Sequence, residues 1–165
     1  MNAKGMHRRK RWLIAGEIAL LILAILAGMF VWYVSDYYRA EDVALEVMAR
    51  FPEIQHWYVA GHSMGGAMAS KFASDHPDQV DGLILMGAYI YGDYPDEKTL
   101  TIYGSLNQSV EDHIDYTENI VEIQGGNHAQ FGNYGPQKGD LPAEISAQEQ
   151  QSQTVAAIQD FLWGK

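Results

Sequence analysis

Residues 57–66 read Trp57-Tyr58-Val59-Ala60-Gly61-His62-Ser63-Met64-Gly65-Gly66. The first four are a short apolar, β-prone run. The next six carry a serine between two glycines, Gly61-x-Ser63-x-Gly65, with Gly66 and Ala67 extending the small residues. A helix is predicted from Met64 to Ser74, with Met68 and Phe72 four apart on one side. A strand that turns through such a motif into a helix lifts a serine hydroxyl above a sheet on a sharp, strained elbow. Glycines two before and two after the serine let strand and helix approach without Cβ clashes. The bland alternative is a glycine-rich turn with an incidental serine.

Outward from this turn, Asp75-His76-Pro77-Asp78 breaks the helix. Leu83-Ile84-Leu85-Met86 is apolar throughout, as in a parallel strand covered on both faces. A loop rich in Gly, Tyr, Asp and Pro covers 88–97. Further strands are predicted at Thr99–Tyr103 and Asn119–Ile123. A closing helix is predicted over Ser146–Trp163, where Ser146 and Glu149 match a capping box and Val155, Ile158 and Leu162 share a face. Before the elbow, Ala40–Phe51 reads as a helix ended by Pro52. Strands alternating with helices or long loops predict an α/β fold with a parallel sheet of about four strands. Right-handed crossovers then place the strands in sequential order, with Trp57–Ala60 at one edge.

A serine hydroxyl needs a base to take its proton. Gly125-Gly126-Asn127-His128 follows the last predicted strand, at the strand end where the ligands of such sheets collect. His128 is the candidate base. His62 adjoins the serine in sequence; it is expected to point away, as a base would not, and is read as pocket lining. His7, His56, His76 and His113 are read as surface residues. Tyr89, Tyr91, Tyr94, Phe131 and Tyr134 are candidates for an apolar acyl pocket, or for aromatic loops covering the sheet. The sequence has no Cys, so thiolate zinc sites and cysteine nucleophiles are excluded. It has no His-Glu-x-x-His and no Gly-x-x-x-x-Gly-Lys, so neither a metal nor a nucleotide cofactor is expected.

The chain has 165 residues, with 11 Lys plus Arg, 21 Asp plus Glu and a net charge of −10. Five of the cations, Lys4, Arg8, Arg9, Lys10 and Arg11, fall in residues 1–11, which hold no acid. So acidic a remainder repels phosphates, and a nucleic-acid partner is excluded. Trp12–Val34 is almost wholly apolar, with Glu17 as its one charge. It meets the ~20 residues that a bilayer span needs. Trp12 marks one interface, and Trp32, Tyr33, Tyr37 and Tyr38 the other. A secretory signal has a shorter apolar core of ~7–15 residues and a small-residue cleavage site; none follows Val34. The expected organisation is a basic cytoplasmic tail (1–11), a single-pass anchor (12–34), a linker and helix (35–52) and a body (53–165) outside the cell membrane.

Gly61-His62-Ser63-Met64-Gly65-Gly66, Gly82-Leu83-Ile84-Leu85 and Ile102-Tyr103-Gly104-Ser105 resemble the elbow and following strands of the α/β-hydrolase superfamily. The stretch Gly125–Gln137, Gly-Gly-Asn-His-Ala-Gln-Phe-Gly-Asn-Tyr-Gly-Pro-Gln, is more specific. It resembles a bacterial, membrane-anchored branch related to dienelactone-hydrolase and esterase types. The resemblance implies a serine hydrolase acting on an ester-like bond of a small molecule, with Ser63 as nucleophile, His128 as base and the backbone N–H of Met64 as an oxyanion donor. It needs no cofactor.

The chain departs from that family twice. The family carries an Asp just after the equivalent of Gly104-Ser105, where this chain reads Leu106-Asn107-Gln108. Glu111, Asp112 and Asp115 come next, each in the order serine, acid, histidine, and Asp112 is taken as the candidate acid. The other reading makes all three solvated charges on a short helix. The family also has several strands before the elbow, one of whose loops gives a second oxyanion amide. Here only Glu41–Gln55 separates the anchor region from the elbow strand. The expected fold is therefore a truncated α/β-hydrolase-like sheet, and its turnover is expected to be weak. The alternative function is a non-catalytic, internally deleted remnant or a tethered binding protein on the same scaffold.

Overall fold

The computed structural model describes residues 3–164, with side chains at 18, 20–33 and 41–164. Two compact units divide at Pro52 and Glu53. The first contains one helix, α1 (Ala3–Arg50). Residues 35–39, expected as a linker, continue its helical backbone, so the helix expected from Ala40 is the end of α1. Ala44, Leu45 and Met48 are half-buried, whereas Val43 and Val47 are exposed. Among the described residues no helix is long and apolar enough to cross a membrane. The side chains of the basic tail, Trp12, Glu17, Tyr37 and Tyr38 lie outside the described residues.

The second unit is an α/β layer. It runs β1 (Tyr58–His62), α2 (Met64–Asp75), β2 (Gly82–Met86), β3 (Thr99–Gly104), α3 (Gln108–Glu111), β4 (Ile120–Ile123) and α4 (Ala147–Trp163). All neighbouring strands are parallel, and the sheet order is β1-β2-β3-β4. This is the order that successive crossovers dictate, and it leaves β1 at an edge. Register pairs Tyr58 with Gly82, Leu83 with Thr99, and Thr101 with Ile120. All the strands therefore end on the same side, and the loops after β1, β3 and β4 meet there.

The apolar strands are buried as their composition requires. Ile84, Leu100, Ile102 and Ile123 form one cluster, and Ile158, Phe161 and Leu162 of α4 pack against it. Leu83 and Leu85, at alternate positions on β2, are completely buried and point to the opposite face. α2 packs on β1 and β2, and α4 on β3 and β4. Ser146 caps α4 by accepting the N–H of Glu149, as its sequence pattern indicates. No described buried side-chain N or O lacks a hydrogen-bond partner.

Two glycine contacts set the spacing at the functional end. A Cβ on Gly61 would lie 2.2 Å from the carbonyl oxygen of Gly65, and one on Gly66 would lie 2.5 Å from Cβ of Ala88. Gly65 itself has open space around it. The close approach of strand and helix thus depends on Gly61 and Gly66, not on the second glycine of the motif. Gly61→Ala should cost about 3 kcal/mol by forcing strand and helix apart. Gly65→Ala should be neutral or stabilising by up to ~1 kcal/mol, since alanine is the better helix former. Denaturant unfolding followed by circular dichroism checks the contrast; equal losses would contradict the packing described.

Candidate active site

Ser63 sits between β1 and α2 with φ 55° and ψ −125°. Positive φ is unusual for a residue with a Cβ and costs on the order of 1–3 kcal/mol. Its surroundings hold it there. Its N–H extends the ladder to Met86 O at 3.0 Å, and its carbonyl accepts the N–H groups of Gly66 and Ala67 at 2.9 and 3.2 Å. Met64 opens α2, so its N–H belongs to the first turn, where backbone donors lack intrahelical acceptors. That suits it to an oxyanion.

His128 arrives from the turn after β4. Its Nε2 lies 2.8 Å from Ser63 Oγ. The turn is held from three sides. A Cβ on Gly104 would lie 2.3 Å from the backbone of Gly126, so the ends of β3 and the β4 loop touch. Gln150, completely buried on α4, accepts Asn127 N–H at 3.0 Å and donates to Asn127 O at 2.8 Å. Asp140 accepts the N–H of His128 at 3.2 Å and that of Ala129 at 2.7 Å. Gly87, with φ +55°, has no Cβ to press on the ring; one would lie 3.0 Å from His128 Nδ1.

The other ring nitrogen meets Asn107. Asn107 Nδ2 lies 2.7 Å from His128 Nδ1, and Asn107 Oδ1 accepts from Ser109 Oγ at 3.0 Å. Asp112 is elsewhere. It is exposed at the end of α3 and accepts from Gln108 Nε2 at 2.9 Å, which also donates to Glu111 at 3.1 Å. The structure does not bring Asp112 to His128. Asp115 is also exposed. The position nearest Nδ1 belongs to Asn107 because the Gly104–Gly126 contact fixes where the β3 loop turns, and α3 carries the later acids outward.

His62 does not point away. Its ring centroid is 4.8 Å from that of His128. Its Nε2 donates to His128 O at 2.8 Å, and Tyr134 OH lies 2.7 Å from its Nδ1. His62 therefore props the backbone of His128, while Tyr134 and Phe131 pack on its ring. Burial pushes the His128 imidazole below its ordinary pKa of 6.5, and His62 adds to this, while Asp140 works against it. A neutral imidazole is the form that can accept a proton.

A cleft of about 360 Å³ opens on Ser63 and His128, lined also by Met64, Tyr89, Tyr91 and His113. His113 stacks on Tyr89 at 4.6 Å and 10°, so one of the histidines read as surface lines the cleft. Tyr94 is not part of it. It is buried, donates to Val80 O at 2.8 Å, and its phenol is pushed up to about 12, first by burial and then by Asp81. Among the described residues no cluster of three or more His, Asp or Glu could hold a metal ion.

The model of the alpha/beta hydrolase family matches residues 38–152. The chain belongs to that family, and the fold and the serine elbow agree with it. No curated protein matches the chain.

The strain at Ser63 has a measurable consequence. Ser63→Gly should raise stability by up to about 1 kcal/mol, because glycine adopts positive φ freely. Ser63→Ala keeps the Cβ and the strain, and should unfold close to the parent. Denaturant midpoints read the difference; a glycine variant less stable than the alanine one would contradict it.

Proposed function

We propose that the chain is a serine hydrolase that cleaves an ester-like bond of a small molecule through an acyl-enzyme. The observation that carries this reading is the 2.8 Å approach of Ser63 Oγ to His128 Nε2 on a strained strand–helix elbow. Ser63 attacks the carbonyl while His128 takes its proton. His128 returns the proton to the leaving group, and water clears the ester by the same route. The N–H of Met64, in the first turn of α2, is the donor assigned to the developing oxyanion. The stretch Gly125–Gln137 supports the finer placement among esterase and dienelactone-hydrolase types.

Asn107 limits the rate. An amide nitrogen donating to Nδ1 leaves the imidazole proton on Nε2, directed at Ser63, which is the wrong tautomer for a base. Turning the amide over brings Oδ1 to Nδ1 and frees Nε2 to accept. The Ser109 hydroxyl can then accept from Nδ2, as a hydroxyl serves either role. In serine proteases an Asp-to-Asn change at this position lowers kcat by ~10⁴. The oxyanion site is also thin, because β1 ends the sheet among the described residues, and one missing donor costs ~10²–10³. These two features are what favour the second reading, a non-catalytic binding protein.

Nitrophenyl butyrate hydrolysis should be slow, and Ser63→Ala and His128→Ala should each abolish it, one loss nearly equalling both. Asn107→Asp should raise kcat/KM by roughly 10²-fold or more. A fluorophosphonate should label Ser63. No labelling in either the parent or Asn107→Asp would favour the binding protein.

We further propose that the amino-terminal segment anchors the chain in the cell membrane, with the body outside. The basic tail before the apolar run supports the orientation. Leu20, Leu21, Ile22, Leu23, Ile25 and Leu26 are each more than half exposed on α1, an apolar surface suited to lipid. Alkaline carbonate should leave the full chain in the membrane pellet, and added protease should cut the body in intact spheroplasts. Release into the soluble fraction would sink the anchor.

A further inference from the structure

In the proposed reaction, which this inference takes as its basis, positive charge develops on His128 as Ser63 loses its proton. A carboxylate on Nδ1 normally stabilises that charge. Here the partner on Nδ1 is the neutral Asn107. One carboxylate is nevertheless fixed against the same histidine. Asp140 accepts the backbone N–H of His128 through Oδ1 and that of Ala129 through Oδ2. Its loop is secured on both sides. Asp140 N–H donates to Gln137 O at 3.2 Å, and the adjoining Leu141 O accepts from Asn127 Nδ2 at 2.8 Å. Asp140, Asn107 and His128 line one cleft of about 430 Å³.

We propose that Asp140 is a positioning residue that supplies, through space, the negative charge that Asn107 cannot supply to His128. Asp140 takes no part in the proton transfer. The proton moves only between Ser63 Oγ, His128 Nε2 and the leaving group. The other groups around the ring cannot take this part. Ser63 and His62 stand at the end of β1, Gly87 follows β2 and Asn107 follows β3. His113 lines the cleft on the Ser63 side and Lys138 the cleft on the Asn107 side. When charged, His62, His113 and Lys138 oppose an imidazolium. Asp140 is the anion among these described groups, and it is the one that favours the charged imidazole.

The test is the titration of the His128 ring, followed by NMR on the full chain in detergent micelles, because it needs no turnover. Asp140→Asn removes the charge and keeps a side-chain oxygen for one backbone N–H. The midpoint of His128 should move down. Asp140→Glu should hold it near the parent value, and Asp140→Ser is a second neutral variant should the asparagine chain fail to fold. In Asn107→Asp the midpoint should rise. Asp140→Asn should lower kcat/KM on nitrophenyl butyrate by roughly tenfold, and by less once Asn107→Asp is present, since the charges substitute for one another. A neutral variant that unfolds at lower denaturant but leaves the His128 midpoint in place would make Asp140 a backbone clamp only and overturn the proposal. A midpoint that moves in a chain with no hydrolysis would support the charge coupling and reject the hydrolase reading.

Discussion

The contact between Gly61 and the first turn of α2 is the constraint from which the functional end of the body is built. Backbone meets backbone there, at a distance that excludes any Cβ. The chain must therefore reverse within the single residue between strand and helix, and Ser63 takes a left-handed conformation to do so. The strain is local, and the elements that impose it are secured elsewhere. β1 is bonded along its length to β2, and α2 lies across both. Packing of apolar residues far from the hydroxyl thus fixes where the hydroxyl points.

The histidine arm follows the same logic with different materials. Gly104 and Gly126 bring two loops into backbone contact, and a polar network then locks the turn. Gln150 reaches from the helix behind the sheet and makes paired hydrogen bonds to Asn127. Asn127 also holds Leu141 and Gln130. Fully satisfied networks of this kind rigidify a buried turn, whereas a half-satisfied one would be costly. Asn127 is nearly buried, so this rigidity is passed to the exposed edge of the next residue, His128.

The sequence makes much of this legible and misses an identifiable part. A continuous apolar run marks β2, as expected of a strand covered on both faces, whereas β3 is equally buried but carries Thr99 and Thr101 among its apolar residues. Ser63 and His128 stand out because each follows a strand and is set among glycines. Asp112 was singled out for its charge, but no local pattern records which loop residue a distant glycine contact will press against the imidazole, and that residue is Asn107. Gln150 and Asp140 escaped for the same reason. Their partners are backbone groups over ten residues away, and periodicity carries no trace of such bonds. His62 was placed wrongly in direction because strand alternation fails at the last residue before the elbow. The linker expected from residue 35 continues the backbone of α1 instead, since Ser, Asp, Tyr and Arg are tolerated in a helix that other residues propagate.

The sequential strand order also bears on how the body assembles. Each strand pairs with its immediate neighbour in the chain, so the sheet grows by adding one crossover unit at a time. Such local topology favours fast folding and suits a chain made from its amino end on the ribosome. The elbow and its serine can form as soon as β2 is available. The imidazole cannot be seated until Gln150 has emerged, because α4 supplies the clamp on Asn127. During synthesis the nucleophile therefore exists for a time without its base, and a chain stopped short of α4 would carry the serine turn in an inert form.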